Sequence, residues 1–317
     1  MISGFKVINP GILTLIQDAG RFGFHGIGLT NGGPLDPLAF RWATRLCGAA
    51  VENAASSDTA LEISIGGLSL EAYVDTVIAV TGADMPLTIN GQPCQLWQSH
   101  SVKAGDYIEL GYAQQGCRSY LAVSGGFDIS HSFGSAATVS RESIGGLSGE
   151  PLQQNDVLPC AGYHTAQHYA VADNDRPQYG NALTARVILG YQQETFSEVQ
   201  QRLFFTSDYT VSDRCDRMGY RLTGQSIQSS VEGILSEGIC HGAIQIPADG
   251  QPIVLMNDRQ TIGGYPKIGS MISIDTARLA QLSAGAKVCF EPISMEQAHS
   301  LLHFAEANFQ QISLQRC

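Results

Sequence analysis

The sequence predicts a mainly β protein with a few short helices, and three observations carry that reading. Glycine is abundant, at 35 of 317 residues, while charged residues make up only 15%. Such a chain has many turns and close backbone passages, which suits short strands better than long helices. Apolar and polar residues also alternate in short runs bounded by Gly, Asp or Pro, the pattern of strands in a barrel or sandwich. Finally, Asn90-Gly91 lies between two such runs and is a strong hairpin signal.

In chain order, the strand pattern opens at Phe5–Ile8 and continues at Leu61–Ile65, Thr76–Val80, Met85–Ile89, Cys94–Trp97, Tyr107–Leu110 and Tyr120–Val123. It resumes at Ala185–Leu189, Ile253–Met256 and Lys287–Phe290. Helical spacing is confined to three places. Leu38–Leu46 follows a Pro-Leu-Asp-Pro start. Thr195–Phe204 is the second, and Ser294–Phe309 the third, with Ser294 and Gln297 spaced as a capping box.

A chain of 317 residues is too long for one ordinary core. The polar stretch 161–181 reads as a linker between an N-terminal domain, 1–165, and a C-terminal domain, 180–317. The halves carry a faint echo. Lys103-Ala-Gly-Asp-Tyr-Ile-Glu-Leu in the first parallels Ser283-Ala-Gly-Ala-Lys-Val-Cys-Phe in the second, as a duplicated β-barrel module would.

The net charge of −11 argues against nucleic acid and against anionic membrane. Met1–Asp18 lacks the features of a signal peptide, and no run reaches the roughly 18 apolar residues of a membrane span. The eight cysteines are scattered, without a C-x-x-C pair, and read as small core residues of a cytoplasmic protein. A nucleophile elbow, an H-E-x-x-H helix and a Rossmann glycine motif are all missing, and no metal site is expected. His299 and His303 sit four apart on the last helix, where solvation explains them.

Three polar, glycine-rich segments stand out. In Thr14–Gly23, the residues Gln17, Asp18 and Arg21 cluster after a β-like run. Asp18 and Arg21 either pair with each other, or Asp18 orients Arg21 toward an anion. In Asp213–Gly224, the residues Arg214, Arg217 and Arg221 imply a knot with Asp213 and Asp216 or an anion site. In Gly242–Ile268, the apolar run Ile253–Met256 delivers Asn257, Asp258, Arg259, Gln260 and Thr261 together. Gly263-Gly264 then allows close backbone approach, and Tyr265-Pro266 gives a stiff exit. A solvated hairpin tip does not need five different hydrogen-bonding side chains, so the third segment is the leading site.

These segments carry a resemblance. Gly11–Gly23, Gly116–Asp128 (Gly-Cys-Arg-Ser-Tyr-Leu-Ala-Val-Ser-Gly-Gly-Phe-Asp), Arg217–Gly224 and Ala243–Ile268 are similar to the biotin-dependent carboxyltransferase family. That family includes the C subunit of prokaryotic 5-oxoprolinase, the KipI antagonist, the second subunit of allophanate hydrolase type, and part of the urea carboxylase carboxyltransferase domain. The resemblance implies two cyclophilin-like β-barrel domains. It also implies a KipI-like B subunit and a LamB/YcsF-like A subunit as partners, in an ATP-dependent complex that opens 5-oxo-L-proline to L-glutamate.

With the polar strand end, it gives Asp258 an acid/base or substrate-orienting role. Gln260, Tyr265 and the Gly263-Gly264 backbone hold a lactam or ureido group, beside Asn257. Arg217 or Arg21, with Asp18, takes the substrate carboxylate. No cofactor is expected in this chain: ATP is handled by the complex, and the family's use of biotin is left open.

Two departures from the family pattern are visible. Leu46-Cys-Gly-Ala-Ala replaces the family's Val-Gly-Asn and is followed by a Val51–Thr59 insert, in which Asn53 could substitute. Ile262 stands in Gln-Thr-Ile-Gly-Gly-Tyr-Pro where the family has Thr. The competing readings are a non-catalytic KipI-antagonist-type regulator and a carboxyltransferase acting on a urea-like amide.

Overall fold

The computed structural model describes residues 3–48 and 59–317. Apart from Thr59, the Val51–Thr59 insert lies outside the described residues, Asn53 included. The chain divides into two units. The first comprises Met1–Arg21, Gly32–Tyr179 and Ser313–Cys317; the second comprises Phe22–Asn31 and Gly180–Ile312. The long chain break thus falls at Tyr179/Gly180, and most of the expected linker, 161–179, belongs with the first unit. Two short segments also change sides relative to a simple two-block division.

The first unit holds β1 (Gly4–Pro10), β2 (Leu13–Gln17), β3 (Ala60–Ser64), β4 (Leu68–Ala72), β5 (Thr76–Asp84) and β6 (Leu87–Ile89). It continues with β7 (Gln92–Cys94), β8 (Ser99–Val102), β9 (Tyr107–Leu110), β10 (Gln115–Val123) and β11 (Val157–Pro159). They form a six-stranded sheet in the order β11-β1-β4-β9-β6-β7 and a five-stranded sheet in the order β2-β3-β10-β5-β8. Phe5, Ile63, Leu70, Val80, Ile108 and Leu121 are among the side chains whose burial makes the core; each contributes about 1.5–3 kcal/mol. The Asn90-Gly91 hairpin joins β6 and β7, with both residues at positive φ, 53° and 74°. That is the backbone a two-residue primed turn requires. Helix α1 (Pro37–Gly48) starts on proline, and Asp36 Oδ1 accepts from Ala39 N at 3.1 Å as its cap. The short strand β12 (Tyr169–Ala170) completes the unit by pairing with Gln315–Arg316.

The second unit contains β13 (Ala182–Leu189), β14 (Tyr209–Cys215), β15 (Gly219–Gly224), β16 (Glu237–Gly238) and β17 (Ala243–Gln245). It also contains β18 (Ile253–Leu255), β19 (Ile262–Gly263), β20 (Lys267–Met271) and β21 (Lys287–Pro292). Seven of these close a barrel, β13-β20-β17-β18-β15-β14-β21, sealed by parallel pairing of β21 with β13. Closure leaves no sheet edge to protect. The barrel expected in each half is therefore closed in the second unit, whereas the first unit's strands fall into two sheets. Strands β16 and β19 stand apart as a two-rung ladder.

The expected helices are α2 (Glu198–Thr206) and α4 (Met295–Gln311), and the Ser294/Gln297 capping box is present. Helix α3 (Ser273–Leu279) was not expected. Its seven residues show too little periodicity, and Asp275 holds it by accepting from Arg186 Nε and Nη2 at 2.8 and 2.6 Å.

The echo between the halves is a shared turn. In Lys103–Asp106, Asp106 N donates to Lys103 O, Gly105 N to Ala72 O, and Ala72 N to Asp106 O. In Ser283–Ala286, Ala286 N donates to Ser283 O, Gly285 N to Val211 O, and Val211 N to Ala286 O. Gln153–Asp156 repeats the set around Val7, with Asn155 in the glycine's place. The third residue of the three turns has φ of 96°, 90° and 73° respectively. In the first unit the closing aspartate adds a bond, since Asp106 and Asp156 accept from the first residue's N–H at 2.7 Å. Ala286 cannot.

All eight cysteines are free. The small-core reading applies to Cys47 and Cys160, which are buried, but not to Cys240 and Cys317, which are exposed. Among the described residues no helix is long and apolar enough to cross a membrane.

Candidate functional site

In the first unit, the polar cluster after β2 binds one segment of its own unit. Gln17 Nε2 donates to Thr138 O at 3.0 Å. Asp18 accepts from Ser135 Oγ and Ala136 N, both at 2.6 Å. Arg21, 1% exposed, donates to the carbonyls of Ser132, Ser135 and Ala137 at 3.0, 3.4 and 3.0 Å. Asp18 and Arg21 thus meet on the same segment, 132–137, where the guanidinium bonds Ala137 O and adds a second donor to the carbonyls of the Ser132–Ser135 bridge.

In the second unit, β18 empties into the polar run as the sequence indicated. Met256 N donates to Met218 O and Asp258 N to Arg217 O, both at 2.9 Å, which extends the β15–β18 ladder by two steps. That register places Asp258 on Arg217. Nε and Nη2 of Arg217 donate to Oδ2 and Oδ1 of Asp258 at 2.8 and 2.9 Å, a forked pair with both side chains buried. Arg217 is therefore neither in a knot with Asp213 and Asp216 nor turned outward: its carboxylate comes from 41 residues downstream. Asp216 instead accepts from Met218 N and Gly219 N, shaping the turn, while Arg214 and Arg221 are exposed.

The rest of the run splits by burial. Arg259 is buried, donating to Ile239 O and Met256 O at 3.2 and 3.3 Å, and burial lowers its pKa from the ordinary value. Beside it, burial first and the Arg259 charge second push His241 down to about 4, against the opposing effect of a hydrogen bond to the Asn257 side chain. His241 is thus neutral at ordinary pH. Asn257, Gln260, Gly263 and Gly264 are half-buried, and Tyr265 is exposed.

The structure adds residues the sequence reasoning missed. Lys267 Nζ donates to Glu237 Oε1, and Gln192 Nε2 donates to the same oxygen at 2.7 Å. Gln192 Oε1 in turn accepts from Lys267 N at 2.8 Å. Hydrogen bonding to Lys267, then to Tyr191, lowers the Glu237 pKa, and Glu237 raises that of the exposed Tyr191. Gln245 is paired with Lys267 across β17 and β20. This group of Tyr191, Gln192, Glu237, Gln245 and Lys267 borders the Gly263–Tyr265 loop. It offers a cation, a carboxylate and a phenol in one hydrogen-bonded chain, suited to moving a proton or steadying charge on a small polar ligand. Only Lys267, after the Gly-Gly-Tyr-Pro run, carried a signal in the sequence; Glu237 lies in an unpatterned stretch.

Comparison with known proteins agrees with this architecture. Residues 27–292 match the family described as carboxyltransferase domain, subdomain A and B. The chain is 36% identical to the C subunit of the 5-oxoprolinase of Escherichia coli, over 97% of each chain. It is 34% identical to the C subunit of the 5-oxoprolinase of Haemophilus influenzae, over 94% of each. The crystal structure of the K. lactis urea amidolyase superposes with a TM-score of 0.90 at 27% identity, covering 98% of this chain. The chain spans only 20% of that much longer protein. A matching family over most of the length, full-length relatives and a shared β architecture lead to one conclusion: this chain belongs to the carboxyltransferase family whose domain comprises subdomains A and B.

Proposed function

We propose that the chain is the C-type member of an ATP-dependent complex that opens 5-oxo-L-proline to L-glutamate. The supporting observation is the end-to-end likeness to the C subunit of the Escherichia coli 5-oxoprolinase, with 97% of both chains aligned. In the reaction the ring C–N bond breaks, a water oxygen joins the carbonyl carbon, and the ring nitrogen takes up a proton. Hydrolysis of ATP to ADP and phosphate drives it. Two partners, a KipI-like B subunit and a LamB/YcsF-like A subunit, handle the nucleotide, since this sequence has no G-x-x-x-x-G-K-[ST] loop.

Within that reading, the Gly263–Gly264 backbone, Gln260 and Tyr265 hold the lactam, beside Asn257. Asp258 orients the turn through Arg217, because a carboxylate held in a fork is a better strut than a proton carrier. Arg217 and Arg21, turned to Asp258 and to carbonyls, act by holding loops. The Lys267–Glu237–Tyr191 chain steadies charge on the amide oxygen as the bond opens.

A urea-like amide is the second reading, favoured by the close superposition on urea amidolyase. Biotin, a cyclic urea, would be held in that case by the same Cβ-free Gly263–Gly264 passage and Tyr265; when bound it supplies the carboxyl group for transfer. The test is reconstitution with the A and B subunits. Substrate-dependent ATP hydrolysis and glutamate formation are expected with 5-oxo-L-proline. Association with the B subunit but no 5-oxo-L-proline-dependent turnover would instead support a regulatory binding protein.

A further inference from the structure

Gln245 ends β17, is 2% exposed, and its amide nitrogen is sealed from solvent without a hydrogen-bond partner. A buried donor without an acceptor destabilises a fold, so such groups are rare unless they serve something else. What seals this one is Gly263 of β19. A Cβ there would lie 2.9 Å from Gln245 Nε2 and 2.4 Å from Ile239 Cδ1, so only glycine can pass over the amide. The cover is slight. Strand β19 pairs with β16 by two rungs, Glu237↔Gly263 and Gly238↔Ile262, and Ile262 is 61% exposed. Glu237 ties the cover to β20 through Lys267, the ladder neighbour of Gln245. Ile239, Ala243, Ile253 and Leu255 form a small apolar cluster next to it. A two-rung ladder over an unmatched donor belongs to the low-stability end of a fold, where ligand-linked opening is found.

We propose that Gln245 is the carbonyl-reading residue of the site. When the β16–β19 cover shifts, its amide N–H donates to the oxygen of a planar amide or ureido substrate, the acceptor it lacks while covered. The proposal deepens the function proposed above and rests on that reading of the Gly263–Tyr265 loop. A site that bonds a substrate's polar group discriminates strongly against analogues lacking it, because its own donor is then left unpaired. L-proline, which lacks the ring carbonyl of 5-oxo-L-proline, is the matched analogue.

The test compares the full chain, reconstituted with its A and B subunits, with a Gln245→Met variant of similar shape. Binding of 5-oxo-L-proline, urea and L-proline is measured by calorimetry, and the melting midpoint of the unliganded chain is read separately. The variant should melt about 2–4 °C higher, since it removes an unmatched buried donor. It should bind 5-oxo-L-proline or urea at least about tenfold more weakly, with L-proline unaffected. A lower midpoint, unchanged binding, or failure of the unmodified complex to bind either carbonyl compound overturns the proposal. Weaker carbonyl binding of that size without ATP-dependent ring opening leaves Gln245 in its role and removes only the proposed reaction.

Discussion

Two buried arginines, one in each unit, look alike in the sequence and differ in what holds them. Each lies close to an aspartate, Asp18 before Arg21 and Asp216 before Arg217, and each could be read as an anion ligand. In the structure Arg21 donates to three backbone carbonyls of segment 132–137. Arg217 forks onto Asp258. The first arrangement pins a loop with neutral acceptors. The second makes two charges depend on each other, so either alone is a liability in a dry setting. A guanidinium needs acceptors wherever it is buried, but only the acceptor's charge decides whether it behaves as scaffold or as half of a pair.

That contrast is sharpest in mutation. Asp258→Ala leaves the buried Arg217 charge uncompensated and should cost about 3–5 kcal/mol in denaturant unfolding, most of it recovered by Arg217→Met in the same chain. Additive effects of the two single changes would break the contrast.

Acid should separate the regions next. His241, beside Arg259, has a folded pKa of about 4 against an ordinary 6.5. The unfolded chain therefore binds more protons as pH falls through this window. Stability is full above about 6.5 and declines towards pH 4, by up to about 3 kcal/mol. Glu237, whose folded pKa is lowered, adds a loss in the same direction, as pH falls through its folded value. A His241→Gln variant should flatten the decline between about pH 6.5 and 4, and an unchanged slope would remove this explanation.

Arg21→Met should cost about 2 kcal/mol by removing the guanidinium bonds to the carbonyls of Ser132, Ser135 and Ala137. Hydrogen exchange at Ser135–Ala137 should report the loosening.

The smallest effects concern the repeated turn. Neither Gly105 nor Gly285 has an atom within 4 Å of a built Cβ, so Ala at either position meets only the left-handed backbone penalty, about 1 kcal/mol. Asn, which occupies the equivalent place at residue 155, should cost less than half of that. Equal losses for Ala and Asn in thermal unfolding would show that the three turns are not interchangeable.

Much of the fold was legible because its signals are local. Asn90-Gly91, the Ser294/Gln297 box and the Pro37 start each act within about four residues, and each stands where the pattern put it. Helix α3 was not legible, because Asp275 and Arg186 hold it across 89 positions. The site divides in the same way. The polar end of β18 could be read directly, but Asp258 meets Arg217 only after the ladder between β15 and β18 sets their register. Glu237, Gln192 and Gln245 gave no pattern because the first and last lie 45 and 53 residues beyond Gln192, and the three meet only around Lys267 of β20. The cysteines mislead for a related reason: an apolar neighbourhood in sequence surrounds Cys289, yet a strand alternates faces, and that residue is only half-buried.

The exchange of short segments between the units bears on how the chain can be made and cut. Phe22–Asn31 precedes nearly all of the unit it belongs to, and Ser313–Cys317 follows nearly all of its own. During synthesis the early segment must wait for the later barrel, and the first unit gains its β12 partner only after residues 313–317 have followed that barrel. A cut at Tyr179/Gly180 would not release two whole pieces. Each fragment would carry a strip of chain addressed to the other, so the second unit is entire only in a piece running from Phe22 to Ile312, and the first only in one running from Met1 to Cys317.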